Sequence, residues 1–144
     1  MKKLIMAITL AALLPIVTST AAQSRVDLVQ QLVTDKAHEF NVPTQLAHAV
    51  IETESGYNPK ALNQGNFGVG QIRCGTARSL GMTGPCRQLL DAEINLIYSM
   101  QYLRKALDTA ADDWCWAATL YNQGLDAQPR KSRYCTRVLS KIPQ

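Results

Sequence analysis

The stretch NVPTQLAHAVIETESGYNP, residues 41–59, holds the decision about the fold. Asn tolerates left-handed backbone, so Asn41 suits the end of a preceding helix, and Pro43 can open a new one because its missing N–H does no harm in a first turn. Leu46, Ala47, Ala49, Val50 and Ile51 make this second helix apolar on most sides, which predicts a central, buried position. Gly56 and Pro59 stop it. Two carboxylates stand just before the stop, Glu52 and Glu54. At about 100° per residue they lie about 200° apart around the helix and cannot work as a pair. Glu54 falls in the last turn, against the negative end of the helix dipole, where stability alone does not favour a carboxylate. Partial burial there would raise its pKa toward that of a general acid working near neutral pH. An exposed helix-end residue is the plainer reading of the same position.

Working outward, Val26, Leu28, Val29, Leu32, Val33, Ala37 and Phe40 recur at steps of three and four and predict an amphipathic helix over 26–40. Residues 56–70 are rich in Gly, Asn and Pro and predict a loop or short strand ribbon. A short helix is expected at about 76–80. Asp91 caps a long one whose Ile94, Ile97, Tyr98, Leu103 and Leu107 are expected to face inward, and further helices fit 113–122 and 129–142. There is no internal repeat and no low-complexity linker, so the expectation is a single, mainly α-helical domain with one irregular or β loop region.

Lys2 and Lys3 precede an apolar run at 4–17 and then small residues 18–22, the pattern of a cleaved export signal over residues 1–22, with the working domain at 23–144. The run is short of the roughly 20 residues a membrane span needs, so no stable membrane anchor is expected. Export accounts for Cys74, Cys86, Cys115 and Cys135, an even set suited to structural bridges. Three pairings are possible; nearest-neighbour pairing, Cys74 with Cys86 and Cys115 with Cys135, is preferred because each closes a short loop. A zinc site fits poorly, since there is no Cys-x-x-Cys pair and His38 and His48 lie far upstream. Without Lys2 and Lys3, thirteen basic residues face eleven acidic ones, a net of +2 that is too small to argue for nucleic acid. Most of the excess sits in Arg130, Lys131, Arg133, Arg137 and Lys141, either as a solvated helix face or as an attraction for an anionic polymer.

Four short motifs occur in series: Glu54 and Ser55 at the end of the buried helix, Asn58 and Pro59 after it, Gly68-Val69-Gly70-Gln71, and Tyr121-Asn122-Gln123-Gly124. Together with NLIYSMQYLRKAL at 95–107, they resemble the successive motifs of the lytic transglycosylases with the soluble-lytic-transglycosylase domain, a branch of the lysozyme superfamily. The resemblance covers about residues 25–140. It departs from the family pattern at Gly70, where Met is usual, and at Cys74, near a frequent Pro.

The resemblance implies a lysozyme-like helical domain and cleavage of peptidoglycan between N-acetylmuramic acid and N-acetylglucosamine, with Glu54 as acid and then base and with 1,6-anhydro ends as product. It implies no metal and no organic cofactor. Ser55 would hydrogen-bond substrate, Gln71 would contact the glycan from the opposite wall, Tyr121 would point its hydroxyl at Glu54, and Asn122 would complete the substrate-binding set chiefly by fixing the loop backbone. Tyr57 is a further candidate for the groove wall. Trp114 and Trp116, beside Cys115, read as core rather than as sugar-stacking surfaces. The implied setting is periplasmic or extracellular, with peptidoglycan strands as partner and an envelope-spanning secretion, conjugation or pilus apparatus as a further one. A lysozyme-type hydrolase, or a non-catalytic module that binds glycan or an assembly partner, is the alternative reading.

Overall fold

The computed structural model describes residues 18–143. The leader read over residues 1–22 therefore lies outside the described residues up to 17, while Thr18 onward is helical. Helix α1 (Thr18–Glu39) starts eight residues before the stretch marked by apolar periodicity, and residues 21–25 of it are exposed. Its inner face is Val29, Val33 and Ala37, spaced by four, against helices α2 (Thr44–Ser55) and α4 (Ala92–Thr109). Asn41 takes the left-handed conformation expected of it (φ 53°), and the Val42 N–H closes the helix end on the Ala37 carbonyl at 2.8 Å.

Helix α2 is the central element. Leu46, Val50 and Ile51 are fully buried, each contributing about 1.5–3 kcal/mol by leaving water. Gly56 ends it at φ 59°, donating its N–H to the Glu52 carbonyl at 3.0 Å. The Gly- and Asn-rich stretch that follows is a small antiparallel sheet, β1 (Leu62–Asn63), β2 (Asn66–Phe67) and β3 (Ile72–Arg73), in sequential order with Leu62 opposite Phe67 and Phe67 opposite Ile72. Helix α3 (Cys74–Ser79) and a 3-10 turn (Cys86–Leu90) come next, tied together by the Cys74–Cys86 disulfide. Helices α5 (Trp114–Gln123) and α6 (Arg133–Leu139) are tied by Cys115–Cys135. Both bridges follow the nearest-neighbour pairing, and the mainly helical class with a short β region is the one expected. Among the described residues no helix is long and apolar enough to cross a membrane.

Three local expectations need correction. The inner face of α4 is Asn95, Leu96, Ser99, Met100, Leu103, Ala106 and Leu107, whereas Ile94, Ile97 and Tyr98 are only partly buried. Hydrophobic periodicity misplaced the stripe because two polar residues lie on the buried side, where Asn95 bonds the loop that packs there and Ser99 bonds Asn95. Helix α6 is shorter than 129–142, since Ser132 caps it by accepting the Cys135 N–H. Tyr57 is no groove wall: it is 9% exposed in the core, its hydroxyl 3.1 Å from His48 Nδ1, while His48 Nε2 meets Thr34 Oγ1 at 3.0 Å. Trp114 and Trp116 pack against the main core, as their apolar setting suggested.

Candidate active site

Glu54 ends α2 half-buried, and its Oε1 accepts the hydroxyl of Tyr134 at 2.5 Å. Glu52 lies on another face, exposed and paired with Lys141 Nζ at 2.6 Å, so the two acids are separated as their spacing requires. Burial pushes the Glu54 carboxyl above its ordinary value near 4.5, while the Tyr134 hydroxyl and then the Arg137 guanidinium pull the other way. The result is an acid that holds its proton more tightly than an exposed one, yet has a donor waiting for the charge left when the proton goes. Tyr134 itself is pushed far up, first by burial and then by Glu54, so it stays protonated and acts as a donor.

The wall facing Glu54 is the turn at 68–71, and buried polar groups hold it from both sides. Ser55 Oγ donates to the Val69 carbonyl at 2.7 Å and accepts the Asn58 N–H at 3.1 Å, fastening the turn to the acid's own helix. From α4, the fully buried Asn95 donates through Nδ2 to the Phe67 and Leu89 carbonyls at 2.7 and 2.8 Å. Its Oδ1 accepts the Gly70 N–H and the Ser99 hydroxyl, both at 2.9 Å. All four hydrogen-bonding positions of the amide are thus used, which is the condition for burying it without penalty. Tyr121, on α5, donates to the Gly70 carbonyl at 2.8 Å. A Cβ on Gly70 would stand 2.0 Å from Ser99 Oγ and 2.9 Å from the Tyr121 hydroxyl oxygen, so this position, where the related pattern has Met, is closed to any side chain here.

Gln71 adopts a left-handed backbone (φ 47°), a conformation costing of order 1 kcal/mol for a residue with a Cβ. Its Nε2 donates to the Gly68 and Ala61 carbonyls at 2.9 and 3.2 Å, which holds it there and leaves Oε1, an acceptor, for the cleft.

Between the two walls runs a cleft of about 440 Å³, lined by Glu54, Gln71, Tyr102, Tyr121 and Asn122 together with Asn66, Arg73 and neighbours. Glu54 is its only acidic lining residue among the described residues. The fold thus brings Glu54, Gln71, Tyr121 and Asn122 into one cleft. Ser55 does not line it, because its hydroxyl is spent on the turn. The Tyr121 hydroxyl, expected on Glu54, is bonded to Gly70 instead, and Tyr134 takes that role. Residue Tyr134 escaped sequence reading although a signal was there: Tyr134, Cys135 and Val138 form an inward stripe beside a disulfide cysteine. Tyr102, whose ring centroid is 5.5 Å from that of Tyr121, is a second aromatic wall that sequence reading did not single out.

Comparison with known proteins bears on the fold and the family. The chain is 29% identical over 107 residues to Protein IpgF of Shigella flexneri, covering 69% of this chain and 70% of that protein. Its fold matches part of the 70 kDa soluble lytic transglycosylase SLT70 of Escherichia coli with a TM-score of 0.62 at 23% identity, over 87% of this chain. The match spans only 22% of SLT70. Residues 31–139 match the family model described as the transglycosylase SLT domain, and the chain belongs to that family of lytic transglycosylases.

Proposed function

We propose that the protein cleaves the β-1,4 bond between N-acetylmuramic acid and N-acetylglucosamine in peptidoglycan and leaves 1,6-anhydro ends. The observation that carries this is a half-buried carboxyl with raised proton affinity, held by a tyrosine, in a sugar-sized cleft where no second carboxylate is among the described lining residues. Glycosidases that use water or a covalent intermediate set a second carboxylate at about 5–9.5 Å from the acid. A single carboxyl suffices when the sugar supplies its own nucleophile.

In the first half, Glu54 gives its proton to the leaving glucosamine oxygen as the bond from muramic C1 breaks, and Tyr134 steadies the carboxylate that forms. In the second half, the same carboxylate takes the proton of the muramic C6 hydroxyl while O6 bonds to C1. The ring closes, Glu54 regains its proton, and no water is consumed. Because the attacking oxygen belongs to the same sugar, orientation replaces an encounter. Gln71 Oε1, left as an acceptor, suits the N–H of an N-acetyl group, and Tyr102 and Tyr121 offer ring surface to the glycan.

Two disulfides suit an oxidising compartment, in keeping with export under the leader read at residues 1–22 and a periplasmic or extracellular site of action. The further role we propose is local opening of the wall for an envelope-spanning secretion, conjugation or pilus apparatus, supported by family resemblance. Glu54→Gln, which keeps the size and the hydrogen bond from Tyr134 but cannot cycle a proton, tests the assignment. Wild type is expected to clear peptidoglycan in a zymogram and the variant to leave it intact; equal clearing by both overturns the role of Glu54.

A further inference from the structure

Tyr57 stands three residues after Glu54 with left-handed backbone (φ 64°), directly behind Gly56 at φ 59°. Glycine adopts that region freely, whereas an aromatic residue keeps it only where its surroundings enforce it, a kind of strain that gathers at functional sites. What enforces it here is the end of the side chain. The buried Tyr57 hydroxyl lies 3.1 Å from His48 Nδ1 on α2, and His48 Nε2 lies 3.0 Å from Thr34 Oγ1 on α1. Thr34 gives its own proton to the Gln30 carbonyl at 3.3 Å, so it accepts from Nε2. His48 is therefore the neutral Nε2–H form, and its Nδ1 accepts the Tyr57 proton. Phenylalanine would fill the same core space without burying an oxygen that needs a partner, so packing alone gives no reason for the hydroxyl.

The chain after Tyr57 leads to the cleft. Ser55 Oγ accepts the Asn58 N–H at 3.1 Å, and the Asn58 carbonyl accepts the Ala61 N–H at 3.3 Å. The Ala61 carbonyl in turn accepts the Gly68 N–H at 2.7 Å and Gln71 Nε2 at 3.2 Å. Neither His48 nor Tyr57 lines the cleft. We propose that His48 and Tyr57 form a latch behind the cleft that fixes the loop at 57–61 and through it Gln71, so that both are positioning residues for glycan cleavage. The latch rests, in this role, on the reading of the cleft as a peptidoglycan site with Gln71 as a glycan contact.

Its strength depends on protonation. A proton on Nδ1 turns an acceptor into a donor, facing a hydroxyl whose own proton is then left with the His48 carbonyl at 3.4 Å. Burial lowers the His48 pKa from its ordinary 6.5, and Glu52, exposed on the same helix and paired with Lys141 from the C-terminal end, pulls the other way. From α1 the ring meets the neutral Thr34, and from the loop Tyr57, which burial keeps protonated. The latch is closed at neutral pH and loosens as pH falls below 6.5.

Kinetics of anhydro-end formation on soluble glycan strands test this. Tyr57→Phe keeps the ring and removes the hydroxyl; at pH 7 its KM should rise about fivefold, the worth of one neutral hydrogen bond, with kcat held. In wild type KM should rise by a similar factor as His48 gains its proton, and in Tyr57→Phe that rise should be absent. His48→Leu should match Tyr57→Phe. His48→Asn, whose side-chain oxygen can accept where Nδ1 does, should recover most of the loss and make KM independent of acid pH. A tyrosine that only fills the core would lower Tm and leave KM and its pH dependence alone. That result overturns the latch, as does an acid rise in KM that survives in His48→Asn. If wild type forms no anhydro ends, the reading of the cleft fails instead, and NMR decides the latch independently. The Gly68 N–H and Gln71 side-chain amide signals should follow the His48 titration in wild type and cease to follow it in Tyr57→Phe. Signals that ignore the titration in wild type, or follow it equally in the variant, refute the coupling.

Discussion

Replacing Tyr134 by Phe removes one oxygen from a side chain that is 4% exposed and leaves its ring in place. What is lost is the 2.5 Å hydrogen bond to Glu54 Oε1. A hydrogen bond to a charged acceptor contributes about 1.5–3 kcal/mol, and here it is made in full only after Glu54 has released its proton. That is the charge state approached in the transition state, so the loss should appear in kcat. At about 1.4 kcal/mol per factor of ten, the expected fall is between about tenfold and about 150-fold. The pH profile should move as well. The Tyr134 hydroxyl is the largest influence lowering the Glu54 pKa, so without it burial acts with less opposition and the carboxyl keeps its proton to higher pH. The alkaline limb of kcat/KM, which reports loss of the acid's proton in the free enzyme, should shift upward. Tyr121→Phe is the control, because that hydroxyl serves Gly70: it should cost about 1 kcal/mol of stability and leave the limb where it is. Steady-state assays of anhydromuropeptide release between pH 4 and 9 would show this; a fixed limb in Tyr134→Phe, or a moved one in Tyr121→Phe, refutes the reasoning.

Other consequences concern stability. Glu54 has a folded-state pKa above its unfolded value near 4.5, so its ionised form weighs against the fold at neutral pH and ceases to do so below the unfolded pKa. Glu54→Gln should therefore melt higher than wild type at pH 7, with the gap closing as pH falls below about 4.5; calorimetry at both pH values checks it. Gly70→Ala drives a Cβ to within 2.0 Å of Ser99 Oγ and 2.7 Å of Ser99 Cβ, and should cost about 1–3 kcal/mol, read as a drop in Tm. Opening Cys115–Cys135 by a double Ser substitution should remove about 3 kcal/mol, and because Tyr134 is next to Cys135 it should also lower kcat at temperatures where the variant remains folded. Opening Cys74–Cys86 should destabilise without that effect at Glu54.

The features legible in the sequence are those decided by near neighbours. Asn41 and Gly56 turn the chain through left-handed backbone, Asp91 and Asp113 cap their helices with their own side chains, and the cysteines close short loops. The approach of Glu54, Gln71, Tyr121 and Asn122 to one cleft was implied by family resemblance and is found in the fold. What escaped depends on partners distant along the chain. Asn95 and Ser99 interrupt an apolar stripe and look like surface until the turn at 67–70 closes over them. Tyr134 meets Glu54 across eighty residues: the inward stripe it shares with Cys135 and Val138 marks the residue as buried, and only the fold shows what its hydroxyl meets. Ser55 reads as a substrate contact beside an acid, but the nearest carbonyl, that of Val69, claims its proton first.

Everything proposed for the reaction depends on a single carboxyl using the sugar's own C6 hydroxyl in place of water. The mass of the muropeptides released from purified peptidoglycan by the wild-type chain measures this directly. The mechanism predicts ends one water lighter than reducing ends, formed by wild type and absent with Glu54→Gln. Reducing ends alone, at the full hydrated mass, would contradict it and make the protein a hydrolase.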